Sequence, residues 1–209
     1  FTQSGTYNIV WTYNDGNGNT STQTQQVVVV RNDVTPPVLN NLPSNVTVNC
    51  SSVPSAPVVT ATDNVDGTVA VTFTETSTRS ADVYSAAHYN YIITRTWSAI
   101  DGSNNTTTVS RTITVVDDQA PVFGTINNIN VPTAANAAGA NVTYTVSALD
   151  ACGSPVSYTY NIVSGSFFQI GTTIVQVTAT DVSGNTANTS FTVKVFDNQA
   201  PTITAPGNI

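Results

Sequence analysis

The chain has 209 residues, a net charge of −7, and only 8% charged residues against 40% hydrophobic ones. That much apolar content builds cores and excludes an acidic disordered chain, while five Lys and Arg residues make no basic patch for nucleic-acid phosphates. No apolar run approaches the ~20 residues of a membrane span, so no membrane insertion is expected.

In chain order, residues 1–33 supply two Thr- and Val-rich strands of an incomplete repeat, joined through Asp15-Gly16-Asn17-Gly18-Asn19-Thr20. Residues 34–117 form a complete repeat, with strands predicted near Val46–Val48, Val58–Thr62, Val69–Thr74, Tyr89–Ala99 and Thr107–Val116. Residues 118–197 form another, with strand A near Ile126–Val131, B at Val142–Leu149, C and its neighbours within Val156–Phe168, F at Ile174–Thr180 and G at Ala187–Phe196. Residues 198–209 open a further repeat. The alternation is period-two: Phe191, Val193 and Val195 point one way, Thr192 and Lys194 the other. Ala134–Ala140, interrupted by Asn136 and Gly139, reads as a loop.

Repetition sets the architecture. Asp15–Thr20, Asp101–Thr106 and Asp181–Thr186 all read D-x-[NS]-x-N-T and start 86 and 80 residues apart. Each precedes a Thr/Val run and then D-x-x-x-P, from Asp33 to Pro37, Asp117 to Pro121 and Asp197 to Pro201. A period near 80 marks a tandem array. Six or seven short strands per period predict an all-β chain of tandem Ig-like β-sandwich repeats arranged end to end. Trp11 and Trp97 each lie four residues before the loop Asp, a place Val177 takes in the last complete repeat, and all three are expected in the core of strand F. Cys50 and Cys152 lie in different repeats at non-equivalent positions, so two unbridged thiols are expected.

The last complete repeat resembles a hyalin-repeat (HYR) module. The resemblance lies in Ala120-Pro121, Ala148-Leu149-Asp150-Ala151-Cys152-Gly153, Phe167-Phe168-Gln169-Ile170-Gly171-Thr172-Thr173, Val177 through Asn185, and Phe191-Thr192-Val193-Lys194-Val195. The tail Ala200–Ile209 is similar to the start of another such module. The repeat at 34–117, with Thr94-Arg95-Thr96-Trp97, resembles modules of large Bacteroidota cell-surface adhesins, including those of the gliding-motility type exported by the type IX system. Ala205 and Asn188–Thr189 stand where such modules would carry cysteine, so no family disulfide is carried over.

Ten of the twelve carboxylates fall in three kinds of place. Asp15, Asp101 and Asp181 begin the F–G loop; Asp63, Asp66 and Asp150 follow strand B; Asp33, Asp117, Asp118 and Asp197 sit in the linker before Pro. The B–C and F–G loops of a sandwich share a pole, which the chain enters from the preceding repeat. Asp33, Asp63, Asp66 and Asp101 are therefore expected to meet at the first junction, and Asp117, Asp118, Asp150 and Asp181 at the second. Four like charges repel unless a cation sits among them. Ca²⁺, which takes six to eight oxygens in loose geometry, suits such a set. The competing account is turn chemistry, since Asp, Asn and Gly populate tight turns for backbone reasons alone.

No motif carries catalytic chemistry. The single His88 has no ligand partner at metal spacing, and Glu75 and Asp82 recur in no other repeat. The reading is a non-enzymatic stalk or adhesive segment of a long secreted surface fibre, stiffened by short Pro linkers and by Ca²⁺. Its partners would be neighbouring repeats and a surface, glycan or protein ligand, and its location extracellular at the cell surface. The alternative is a carbohydrate-binding accessory module of a secreted polysaccharide-active protein, which needs an exposed aromatic platform; Tyr84, Tyr89 and Tyr91 form the one cluster in range.

Overall fold

The computed structural model describes residues 4–30 and 32–204. The described residues are strands and turns, with two short 3₁₀ turns at Cys50–Ser52 and Ala86–His88. The expected opening of a further repeat at 198–209 lies partly outside the described residues. The chain divides into two compact units, taken in turn.

The first unit holds Phe1–Pro43, Pro57–Thr74 and Thr96–Ser110. It begins with an antiparallel hairpin of β1 (Gly5–Asn14) and β2 (Thr20–Val29), in register from Asn14 opposite Thr20 to Gly5 opposite Val29. Next, β3 (Val38–Asn40), β5 (Thr60–Asp63) and β6 (Gly67–Val69) make a three-stranded antiparallel sheet in the order β3-β5-β6. Its core gathers Leu39, Val59 and Ala61 against Trp97 and Ala99, which belong to β8 (Tyr91–Ile100). Trp97 is 2% exposed, and the ring of Phe73, from β7 (Val71–Ser77), lies 5.4 Å from it between centroids. Trp11 departs from the expectation of a core residue. It is 59% exposed on the two-stranded β1–β2 sheet, with its indole N–H donating to Gln25.

The second unit holds Ser44–Ala56, Glu75–Arg95 and Arg111–Ile209. Here β4 (Val46–Asn49) pairs in parallel with β9 (Thr106–Val116), Val46 opposite Ile113 and Asn49 opposite Val116. The same parallel pairing recurs between β11 (Ile129–Pro132) and β17 (Thr186–Phe196), within the sheet β11-β17-β16-β14 completed by β16 (Gly171–Thr180) and β14 (Ser157–Tyr160). Phe191, Val193 and Val195, which the alternation set on one face of β17, form a core with Val177 and Val175 of β16 and with Val142 and Phe168. β-branched residues dominate because branching at Cβ favours the extended backbone and packs well on a pleated face.

Strand B is where the periodic reading fails. Val142–Ser147 is not a regular strand; the chain pairs only at its ends, through β12 (Gly139–Asn141) with β15 (Phe167–Gln169) and β13 (Ala148–Leu149) with β10 (Val122–Phe123). Between them its polar groups are met by single contacts. Val142 N–H donates to Ser166 O, Tyr144 N–H to the Ser164 hydroxyl, and the Tyr144 hydroxyl to Ile162 O. The Ala-rich loop accordingly yields to a strand at Gly139.

Candidate functional site

The three D-x-[NS]-x-N loops build one device. In each, the first Asp carboxylate accepts the backbone N–H of the motif Asn, at 3.1 Å for Asn19 and 2.8 Å for Asn105 and Asn185. The Asn side-chain amide returns a hydrogen bond to the other carboxylate oxygen at 2.8–2.9 Å. The fourth position is left-handed in all three: Gly18 at φ 94°, Asn104 at 69° and Gly184 at 92°. Gly and Asn tolerate that conformation where other residues are strained. Fully exposed Asp15 has its carboxyl held below the ordinary value, chiefly by the Asn19 amide and then by the Asn17 N–H.

That turn reaches into the linker. The Asn105 amide, bonded to Asp101, also donates to the Asp33 carbonyl at 3.1 Å; the Asn185 amide, bonded to Asp181, donates to the Asp117 carbonyl at 3.1 Å. Each motif Asn therefore pins the acidic linker to the loop, and this delivers the linker carboxylate to the same pole. Carboxylate oxygens of Asp33, Asp63, Asp66 and Asp101 lie within 4.8 Å of one another, and so do those of Asp117, Asp150 and Asp181. All four residues expected at the first linker come together.

At the second linker, three of the four do. Asp118 is exposed and outside the cluster, its carboxylate accepting from the Asn49 amide at 3.0 Å. The alternation explains the correction: Asp117 follows Val116 with its side chain buried, which sends its neighbour outward.

Much of this carboxylate set is engaged in turns. Asp63 accepts from Val65 and Asp66 N–H at 2.7 and 3.0 Å, and Asp66 from Gly102 N–H at 2.7 Å. Asp150 accepts from Cys152 and Ser154 N–H at 2.9 and 3.1 Å through Oδ1 alone. Among the described residues, its Oδ2 is buried without a hydrogen-bond partner, as is Asp33 Oδ2. Asp117 is 6% exposed. Burial pushes its carboxyl above the ordinary value, the Ser183 hydroxyl pulls it back, and the charges of Asp150 and Asp181 push it further up. Neither Asp33 Oδ2 nor Asp150 Oδ2 is explained by turn chemistry. Oxygen donors with a surplus of negative charge fit a hard divalent cation.

The sequence reading missed the strongest feature beside this site. Cys50 and Cys152 are joined in a disulfide, Cα to Cα 5.7 Å, across a sequence separation of 102 residues. The expectation of two free thiols assumed that a bond must close within one repeat. The parallel pairing of β4 with β9 removes that assumption, because it sets Asn49 level with Val116 and so brings Cys50 beside the linker. Cys152 lies two residues beyond Asp150, on the loop that meets the same linker.

The remaining singled-out residues have structural roles. Half-buried His88 sets one ring nitrogen 2.6 Å from Ser80 O and the other 2.6 Å from Arg79 Nη2, rather than facing solvent. Glu75 pairs with buried Arg95 at 2.7 Å. Asp82 accepts the Tyr84 N–H in a turn. Tyr89 is 4% exposed, so of the expected aromatic cluster Tyr84, at 75%, projects most fully.

Residues 116–195 match the HYR domain family. The chain is 33% identical over 208 residues to the serine-rich adhesin for platelets of Staphylococcus aureus strain N315, covering 90% of this chain and 9% of the adhesin. It is 29% identical over 205 residues to hyalin of Lytechinus variegatus, covering 93% of this chain and 38% of hyalin. It thus spans well under two thirds of either relative. Among solved structures, mouse protocadherin-24 EC1-3 aligns over 95% of this chain and 81% of its own at 19% identity and a TM-score of 0.37. The protocadherin gammaB4 extracellular domain aligns over 94% and 39% at the same identity and score. The Asp181–Asn185 latch, Asp117, β16 and all of β17 but its last residue lie inside residues 116–195, the segment of this chain that matches the HYR domain family.

Proposed function

We propose that this chain is a non-catalytic segment of a long extracellular adhesive fibre, in which repeats divided at 33/34, 117/118 and 197/198 are held in fixed succession. Its linkers would be stiffened by their prolines and by Ca²⁺ among Asp33, Asp63, Asp66 and Asp101 and among Asp117, Asp150 and Asp181. The observation that carries the reading is the repeated latch: at both linkers a motif Asn bonds the loop carboxylate and the linker carbonyl together. A device whose one effect is to fix the linker suits a spacer. The adhesin and hyalin relatives favour an extracellular setting, as does a disulfide, which persists in oxidising compartments. A gliding-motility surface adhesin, whose repeats the sequence resembles, is one fibre of this kind.

The test is a thermal melt in millimolar Ca²⁺ and in excess chelator. Ca²⁺ is expected to raise the midpoint by about 5–10 °C, the order given by ~1–3 kcal/mol of linked binding. Asp101→Ala and Asp181→Ala should each remove part of that gain. A midpoint indifferent to chelator would return these acids to turn chemistry and leave stiffness to the prolines and the Asn latches.

A further inference from the structure

The two linkers are not built alike. At the second, contacts bind the residues before it to those after it. Cys50 is bonded to Cys152. The Asn90 amide donates to the Ser183 hydroxyl at 3.0 Å, and that hydroxyl donates to Asp117 Oδ2 at 2.7 Å. Asn90 Oδ1 in turn accepts the Asp117 N–H at 2.9 Å. At the first linker the position matching Cys152 is Val65, two residues after Asp63 as Cys152 is two after Asp150, and Asp66 stands where Gly153 does. The second linker therefore has one carboxylate fewer in its cluster and one covalent bond more.

We propose that the Cys50–Cys152 bond is a covalent lock that keeps the Asp117–Pro121 linker ordered whether or not a cation is bound, while the Asp33–Pro37 linker depends on its cation. The contrast rests on the Ca²⁺ reading above. The physical reason lies in what happens when the ion leaves. Unscreened carboxylates then repel; the Asn latch opposes them at both linkers, and at the second a covalent bond, indifferent to charge, is added to it. The lock sits where it can act: Cys152 N–H donates to Asp150, so fixing Cys152 also fixes the carboxylate facing Asp117.

Hydrogen–deuterium exchange of the whole chain tests this, reading the backbone amides of residues 33–35 and 117–120 with Ca²⁺ and with excess chelator. In the disulfide-bonded protein, chelation is expected to raise exchange at 33–35 about tenfold and to leave 117–120 within about twofold. In the Cys50→Ser/Cys152→Ser variant, chelation should raise 117–120 about tenfold as well. The lock is overturned if chelation exposes both segments equally in the bonded protein, or if the variant protects 117–120 as well as the bonded protein does. If chelation moves neither segment, the cation reading fails. The lock is then judged by the variant alone: faster exchange at 117–120 supports it, and unchanged exchange overturns it. Protection of β16 and β17 reports whether the variant is folded; if it is not, the response of the bonded protein to chelator decides.

Discussion

Asp117 carries the sharpest conflict at the scale of single residues. Its carboxylate is 6% exposed and faces Asp150 and Asp181, with the Ser183 hydroxyl as its compensating donor. Burial first, and then the two neighbouring charges, raise its carboxyl above the ordinary 3.8. A carboxyl raised on folding binds its proton more tightly in the native state. Its stabilising contribution is therefore complete below about pH 3.8 and is lost as pH climbs through the raised native value. Asp117→Asn keeps an oxygen for Ser183 and removes the charge. In chelator it is expected to raise the midpoint by about 4 °C, for ~1 kcal/mol of relieved repulsion. In Ca²⁺, on the proposed cation site, it should lower the midpoint instead, because a charged oxygen ligand becomes a neutral one. Melting the variant and the parent in both buffers at neutral pH checks the inversion; a change of the same sign in both would sink it. This residue was legible in the sequence through D-x-x-x-P. Asp118, its neighbour, was not separable from it until the strand phase placed one side chain inward and the other against Asn49.

Elements differ in how openly the sequence announces them. β16 and β17 alternate cleanly over ten and eleven residues and were placed to within a few positions. Their register follows from the tight Asp181–Thr186 turn, with Thr180 opposite Thr186. Strand B hid its breakage, since Val142, Tyr144 and Val146 alternate as a strand would while their backbone groups are met by isolated side chains and turns. Periodicity reports which face is buried; it does not report what accepts the hydrogen bonds. β12 depends on one glycine. A Cβ on Gly139 would fall on the Phe168 carbonyl oxygen and against the Phe167 ring. Gly139→Ala should therefore pry β12 from β15 and cost about 1–3 kcal/mol by overpacking. Urea unfolding would measure the loss, and fast amide exchange at Ala140 would locate it. Parental stability would mean that β15 shifts freely.

Across the whole molecule, the sandwich repeats and the convergence of acids at the linkers could be read from period and motif, but the covalent path of the chain could not. Cys50 and Cys152 occupy unrelated places in their own repeats, and only the parallel β4–β9 pairing makes them neighbours. That bond changes how the chain bears a pull. Tension entering before Cys50 crosses directly to Cys152 and leaves toward the later strands, bypassing everything between. The Ile113–Val116 strand of the β4–β9 ladder, Trp97 and the Asp117 linker all lie in the bypassed stretch. Stretched by its ends, the oxidised chain should pay out roughly 350 Å less contour than the Cys50→Ser/Cys152→Ser variant, from a separation of 102 residues at ~3.4 Å each. Equal lengths in single-molecule extension would mean that the bond is not carrying load. Pulled from both sides, this chain keeps about half of its slack in reserve behind a single pair of sulfur atoms.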